Sequence, residues 1–483
     1  LQRRSEGLKY IVIAESLGSL EFTREYGLRF AYVAGSMYKG ISSVAMVIRL
    51  ANAGLLGYFG TGGLRLERIE IAIQQIQQAL SNGQPYGINL LCNLIKPEHE
   101  DDLVDLFFKY NITNIEAAAY MQLTSSLVRY RLKGIHRNNQ GHIIIPHRIL
   151  AKVSRPEVAQ AFMNPAPLNM VQKLVESGKL TLIEAELSQY LPMSYDICVE
   201  ADSGGHPDQG VALALMPTML KLRDDVLQQR SYEKVIRIGA AGGIGTPQAA
   251  AAAFVLGADF VLTGSINQCT VEAGTSDVVK SILQTINVQD TTYAPAGDMF
   301  EIGAKIQVLR KGVFFPARAN KLYDLYRQYN SLEEIDKMTS QRIQKSYFQR
   351  DFNDVWEETK AYYRKEKPDE IDKAEENPKH KMALIFRWYF ILTSRLALQG
   401  DDRQIDYQVH CGPALGAFNQ WVKGTSLENW QSRHVDIIAE KIMQEAALTL
   451  TNRFERWCST SSNKEKTPCN QKISENNLLF QGI

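Results

Sequence analysis

Three stretches of this sequence pair reactive residue types with a spacing that would let them act together. The first is a pair of small-residue turns, each closing a short apolar run. Ala240-Ala241-Gly242-Gly243-Ile244-Gly245 follows the run 235–239, and Thr263-Gly264-Ser265 ends the run 260–263. Backbone N–H groups there can reach an anion with no bulky side chain in the way. Gly242, Gly243, Gly264 and Ser265 therefore read as a phosphate cradle beside a helix N-terminus. The second is Lys152, a lysine inside the apolar run 149–153. An ammonium buried there is costly unless an anion or strong acceptor meets it. The third is Glu200-Ala201-Asp202-Ser203-Gly204-Gly205-His206. Here Gly204 and Gly205 let backbone pass close to a flat ligand, and His206 can donate a proton near neutral pH.

Each stretch has an ordinary alternative: glycines that only turn the chain, a strand-end surface lysine, a structural histidine. Their places at the ends of strand candidates favour the chemical reading. Two smaller signals accompany them. Ala34-Gly35-Ser36-Met37 can offer backbone groups to a ring, and Asn89 can offer an amide to a heterocycle edge. Cys269 has no histidine close in sequence and is set aside as a nucleophile. The segment 410–421, small residues running into aromatics, reads as a substrate or lid surface.

These residues need a frame that brings strand ends together. Short apolar runs without alternation recur at 30–34, 56–59, 87–91, 114–117, 149–153, 197–200, 235–239 and 260–263. Such runs suit strands buried on both faces of a parallel sheet. Helical patterns lie between them; Leu66, Ile69, Ile73, Ile76 and Leu80 repeat at steps of three and four until Asn82-Gly83. The expected class is α/β, a (β/α)8 TIM barrel, in which the loops after the last two strands hold phosphate. Residues 118–147 read as a basic insertion with Arg129, Arg131, Lys133, His136, Arg137, His142 and His147. After residue 300 the texture turns helical, with candidates at 320–329, 333–355 and 434–454 and a charged connector at 365–380. The expected division is a barrel over 1–315, an additional C-terminal helical subdomain over 316–456 closing its mouth, and a disordered tail over 457–483 whose end resembles a protease-tag remnant.

Composition narrows the partners. Lys+Arg of 54 against Asp+Glu of 53 leaves a net charge of +1, no global attraction for nucleic acid or membrane. The six cysteines are scattered without a CxxC spacing, which favours reduced thiols in a cytoplasmic protein and argues against structural zinc. No apolar run reaches the roughly 18–20 residues of a membrane span, and no signal peptide is read at the start. The chain begins at Leu1, so it reads as a trimmed form or a segment of a longer polypeptide.

Taken together, Ala34-Gly35-Ser36-Met37-Tyr38, the Glu200–His206 stretch, Ala240-Ala241-Gly242-Gly243-Ile244-Gly245-Thr246-Pro247 and Thr263-Gly264-Ser265-Ile266-Asn267-Gln268-Cys269-Thr270 resemble the PfaD family. Its members are trans-acting enoyl reductases of polyunsaturated-fatty-acid and trans-acyltransferase polyketide synthases, related to nitronate monooxygenases. The resemblance spans residues 5–455, including Ala294-Pro295-Ala296-Gly297-Asp298-Met299-Phe300 and the segment 410–421. It implies FMN in the barrel mouth, NADPH as hydride donor, and reduction of the C=C bond of a 2-enoyl thioester on an acyl carrier protein. By motif position it implies His206 as the active-site histidine and Lys152, Asn89 and Met37 as flavin contacts. It likewise implies Gly243, Gly264 and Ser265 as phosphate contacts; Gly35, Ser36, Asp202, Gly204, Gly205 and Gly242 complete the candidate set, with Lys152 also a candidate catalytic group. Expected partners are an acyl carrier protein and synthase modules, with a basic docking patch at 129–148 or on the helical subdomain; a homodimer stays open. Two other readings remain at this point: nitronate oxidation with His206 as base, and a flavin-loaded scaffold of a synthase.

Overall fold

Eight short strands close on one another in parallel: β1 (Tyr32–Ala34), β2 (Leu56–Phe59), β3 (Gly87–Leu91), β4 (Asn114–Ala118), β5 (Arg148–Val153), β6 (Asp196–Glu200), β7 (Arg237–Ala241) and β8 (Phe260–Thr263). Their order around the barrel is β1-β8-β7-β6-β5-β4-β3-β2. This computed structural model describes residues 11–93 and 97–462. Every residue of β1, β2, β4, β6, β7 and β8 is buried, which is why their sequences run apolar without alternating. The eight expected strands are all present, with ends displaced by at most two residues. The largest displacement matters: β7 begins at Arg237 rather than 235 and runs to Ala241, so Gly242 is the first residue beyond the strand.

The barrel helices follow the same logic. Leu66–Ala79 turns Ile69, Ala72, Ile73 and Ile76 onto the strands. The stretch read as a basic insertion is partly barrel wall. Helix Ser125–Leu132 is buried; Arg129 pairs with Asp101 and Asp105 at 3.1 and 2.7 Å. Arg131, only 2% exposed, donates to the carbonyls of Pro192 (3.2 Å) and His147 (2.9 Å). Those charges serve the fold, and only the small ribbon His136–Arg137 with Ile143–Ile144 stands at the surface as expected.

After the barrel an antiparallel hairpin, β9 (Thr291–Pro295) and β10 (Lys305–Leu309), leads to the helices. Phe315–Gln328 includes most of the expected 320–329 segment. The expected single run 333–355 is instead broken: Lys337–Ile343 and the π turn Gln344–Phe348 end at Gln349, whose φ of 54° is left-handed, and Phe352–Glu366 starts afresh. The connector 365–380 holds a short helix, Asp369–Glu376, and its charge is internal, with Glu370 meeting Lys367, Lys373 and His380. Helix Pro378–Gln399 anchors the region through aromatic contacts, Phe300 lying 5.5 Å from Phe390 and 6.3 Å from Phe386. Chain leaving and chain returning are clasped together: Phe314 N–H donates to Ile405 O (2.6 Å) and Leu309 N–H to Val409 O (2.9 Å).

The last helix, Val435–Ser462, returns to the barrel and packs on helices Pro247–Val255 and Val44–Asn52. Its buried Ile438, Ile442 and Ala446 recur every four residues. Residues 457–462, expected in the tail, continue this helix; 463–483 lie outside the described residues. No helix among the described residues is long and apolar enough to cross a membrane.

Candidate active site

Adjacent strands bring three charges together inside the barrel mouth. β4 carries Glu116, β5 Lys152 and β6 Glu200; Lys152 Nζ stands 3.6 Å from Glu116 Oε1 and 3.5 Å from Glu200 Oε1. Burial alone would strip the ammonium of its proton, but the Glu200 and Glu116 carboxylates outweigh it and hold the lysine pKa above its ordinary value. Burial likewise pushes Glu200 up, and the Lys152 and His206 charges reverse the effect, leaving its pKa lowered. Glu116 Oε2 accepts the N–H of Ser36 at 2.8 Å, whereas buried Oε1 has no hydrogen-bond partner among the described residues.

His206 is fixed from both sides. Its Nδ1 lies 3.1 Å from the carbonyl of Asp208, and its Nε2 lies 3.5 Å from Glu200 Oε2. Asp208 is itself gripped by Arg155 through two hydrogen bonds of 2.9 and 2.8 Å and by Ser154 at 2.6 Å. The Arg155 hydrogen bonds draw the Asp208 carboxyl down to about 2. Both nitrogens of His206 thus face protein acceptors, which fixes the orientation of the ring.

The two small-residue turns lie at neighbouring strand ends, as expected. A side chain at Gly243 (φ +74°) or Gly264 would meet nothing within 4 Å, so open space lies over both. Gly242 serves the chain itself: at φ +86°, a Cβ there would come within 2.6 Å of the Ala201 carbonyl. The hydroxyl of Ser265 accepts the N–H of Gly412 at 3.0 Å. The expected help from a helix N-terminus is small: Pro247 has no N–H, and Thr246 already caps the N–H of Ala249.

Every candidate residue lines one cavity of about 710 Å³. Several do so differently from the expectation. The N–H groups of Gly35, Ser36 and Met37 are engaged by Thr263 O, Glu116 and Ser42, so that loop can offer only carbonyls and side chains. The Asn89 amide donates to Glu116 O at 3.0 Å. Asp202 accepts from Tyr293 and, at 2.6 Å, from Gln307, tying the loop to the β9–β10 hairpin. Gly204 and Gly205 make room for another part of the chain: a Cβ at Gly204 would lie 2.7 Å from Cys411 Cα, and one at Gly205 3.1 Å from His410 Nδ1. Cys269 is buried away from the cavity, 3.2 Å from Arg433, and burial pushes its thiol up to about 11. The outer wall comes from the helical region, through Phe390, Ile391, Leu398 and Arg387. Glu116 was the residue missed in the sequence, although an acid between Ile115 and Ala117 carries the same signal as Lys152.

A sequence model of the nitronate monooxygenase family matches residues 27–299. A second, for the inserted helical domain of acyl-carrier-protein S-malonyltransferase, matches residues 329–407. The chain is 57% identical over 445 residues to the polyketide biosynthesis protein PksE of Bacillus subtilis, covering 92% of this chain and 58% of PksE. It is 45% identical over 417 residues to a polyunsaturated fatty acid synthase protein of Thraustochytrium sp., covering 85% of this chain and 28% of that protein. The chain therefore spans just over half of the first relative and under a third of the second. The crystal structure of the enoyl reductase domain of MlnA, from the macrolactin biosynthesis cluster of Bacillus amyloliquefaciens, superposes with a TM-score of 0.88 at 46% identity, over 92% of this chain and 99% of that one. Barrel and cavity are thus those of the flavin-dependent barrel class. The chain belongs to the nitronate monooxygenase family, in its PfaD-like branch.

The residues fit a bound flavin. Gly243 and Gly264 face open space along the cavity, which leaves room for a phosphate against backbone, and Lys152 is a buried cation lining it.

Proposed function

We propose that this protein reduces the C=C bond of a 2-enoyl thioester carried on an acyl carrier protein, with FMN as bound cofactor and NADPH as reductant. The observation that carries the reading is the composite cavity. Its floor carries Lys152, Glu200 and His206, with fully buried Glu116 3.6 Å from Lys152, and its outer wall is the apolar face of Phe390, Ile391 and Leu398. Such a site suits a polar heterocycle below and an acyl chain above. The synthase relatives and the malonyltransferase-type helical insert support a carrier-protein substrate.

In this reading Gly243, Gly264 and Ser265 hold the cofactor phosphate, and Lys152, kept charged by two carboxylates, faces the ring. A flavin held there would supply the hydride chemistry, with NADPH as reductant and the substrate β-carbon as acceptor. His206, its ring oriented by the Asp208 carbonyl and Glu200, gives the α-carbon its proton and takes one back from solvent. The carrier protein has two candidate docking surfaces, the exposed ribbon within 129–148 and the helical region; Arg129 and Arg131 are internally paired and take no part. A reduced, cytoplasmic setting fits the five free cysteines of the described residues.

An anaerobic two-step mixing experiment tests this. FMN-loaded protein is first bleached by NADPH, then reoxidised by a 2-enoyl carrier-protein thioester, with the saturated product identified by mass. No bleaching, or no reoxidation by the thioester, would overturn the reading. Anaerobic bleaching by a nitronate and not by NADPH, reversed when oxygen is then admitted, would select the monooxygenase chemistry that the family match over residues 27–299 also admits.

A further inference from the structure

Two histidines line the cavity, and among the described residues only one of them has a ring nitrogen without a partner. His206 has both ring nitrogens against protein acceptors. His410 comes from the far side, carried by the segment that follows the helical region. Val308 of β10 bridges to it, and Gln307 beside Val308 bridges to Gly204, so backbone pairing sets the His410 ring against the 203–206 loop.

The hydrogen bonds around His410 choose its tautomer. The Thr393 hydroxyl has two acceptors in reach, Gln408 Oε1 at 3.1 Å and the Phe390 carbonyl at 3.2 Å; with the Gln408 oxygen on Thr393, the amide nitrogen faces His410 Nε2 at 2.8 Å. An amide N–H can only donate, so Nε2 is the acceptor and the single proton of a neutral ring sits on Nδ1. Burial holds the ring pKa down to about 4 against the pull of Asp298, while Tyr38 packs its ring 6.5 Å away. Nδ1 lies over Gly205 and has no hydrogen-bond acceptor among the described residues.

We infer that His410 donates its Nδ1–H to the carbonyl oxygen of the thioester and stabilises the enolate formed there. The inference rests on the reading given under Proposed function. Hydride addition at the β-carbon breaks the Cα–Cβ π bond and moves that electron pair through the α-carbon onto the carbonyl oxygen. Protonation of the α-carbon then returns the charge, so His410 lends a hydrogen bond and loses no proton. A neutral imidazole is the suitable donor, since it polarises the oxygen without surrendering its proton. The division of labour is thus His410 at oxygen and His206 at carbon.

The test uses the FMN-loaded full chain with His410→Leu, which removes the donor, and His410→Asn, whose amide nitrogen occupies the Nδ1 position. His410→Leu is expected to slow reoxidation by the enoyl thioester by about 10²–10³-fold, the usual loss of one oxyanion donor, with NADPH bleaching within about twofold of wild type. His410→Asn is expected to recover about tenfold or more of that loss. A second readout is independent of turnover: a 3-oxoacyl pantetheine thioester should bind wild type in its enolate form, seen by absorbance, and bind His410→Leu without it. A third needs no variant: with ¹⁵N-histidine labelling, His410 should show its proton on Nδ1 at neutral pH. Equal slowing of both half-reactions, unchanged enolate binding in His410→Leu, or a proton found on Nε2 would each overturn the inference. Failure of wild type to be reoxidised by the thioester would instead sink the reductase reading itself.

Discussion

Replacing Lys152 by methionine would leave Glu116 and Glu200 buried without their cation, 3.6 and 3.5 Å from where it stood. Breaking a buried pair in this way costs about 3–5 kcal/mol, so the variant should unfold at markedly lower denaturant. Adding Glu116→Gln should recover part of the loss; no recovery would mean the carboxylates are solvated after all. His410 gives a prediction in pH. Its folded pKa is lowered to about 4, so the unfolded chain takes up the proton first as pH falls. The stability it contributes is present above the ordinary histidine range and is lost as pH falls to about 4. The slope reaches about 1.4 kcal/mol per pH unit. His147, also lowered by burial, adds to the same slope, so the measurement is the difference between wild type and His410→Asn in urea unfolding from about pH 7 to about pH 4.5. Lys152 was legible because a charge in an apolar strand has to be answered. The role of His410 was not, since the glycines that make room for it lie some two hundred residues earlier in the chain.

At the scale of elements, the glycines divide into two kinds that the sequence alone does not separate. Gly204 touches backbone; Gly264 faces open space. Gly204→Ala would force a methyl to 2.7 Å from Cys411 Cα and is expected to destabilise by about 1–3 kcal/mol. Gly264→Ala has no neighbour within 4 Å, but φ −130° with ψ −78° lies outside the main allowed regions, so its melting temperature should fall, by less than that of Gly204→Ala. It should weaken FMN binding about tenfold, because the added methyl would hold the phosphate away from the backbone N–H that remains. Fluorescence titration with FMN and thermal unfolding of the two variants check this, and a Gly264→Ala protein with normal FMN affinity would remove the phosphate cradle. Strands were readable to within two residues because burial on both faces writes itself as an unbroken apolar run. The break at Gln349 was not readable, because a left-handed turn at a glutamine has no sequence marker. Nor was the burial of Arg129 and Arg131, since a paired internal arginine looks like a surface one in composition.

At the scale of the molecule, the last helix belongs to the barrel although it follows the helical region in sequence. Truncation after residue 433 would uncover the partners of Ile438, Ile442 and Ala446 on helices Pro247–Val255 and Val44–Asn52. The shortened chain is expected to lose cooperative unfolding, seen by calorimetry; a sharp transition like that of wild type would refute the assignment.

The clasp of Phe314 with Ile405 has a consequence of another kind. The stretch 314–405, which holds most of the block matched over 329–407 together with the helix Phe315–Gln328 before it, begins and ends at nearly the same point on its host. A segment whose ends already touch can be cut out and closed with a few residues, or set into another scaffold, without bending the scaffold to receive it. That is the geometry of a graft. It gives a physical reason why one module can sit in a malonyltransferase and in a flavin barrel, and it marks residues 314 and 405 as the sutures at which chimaeras should be joined.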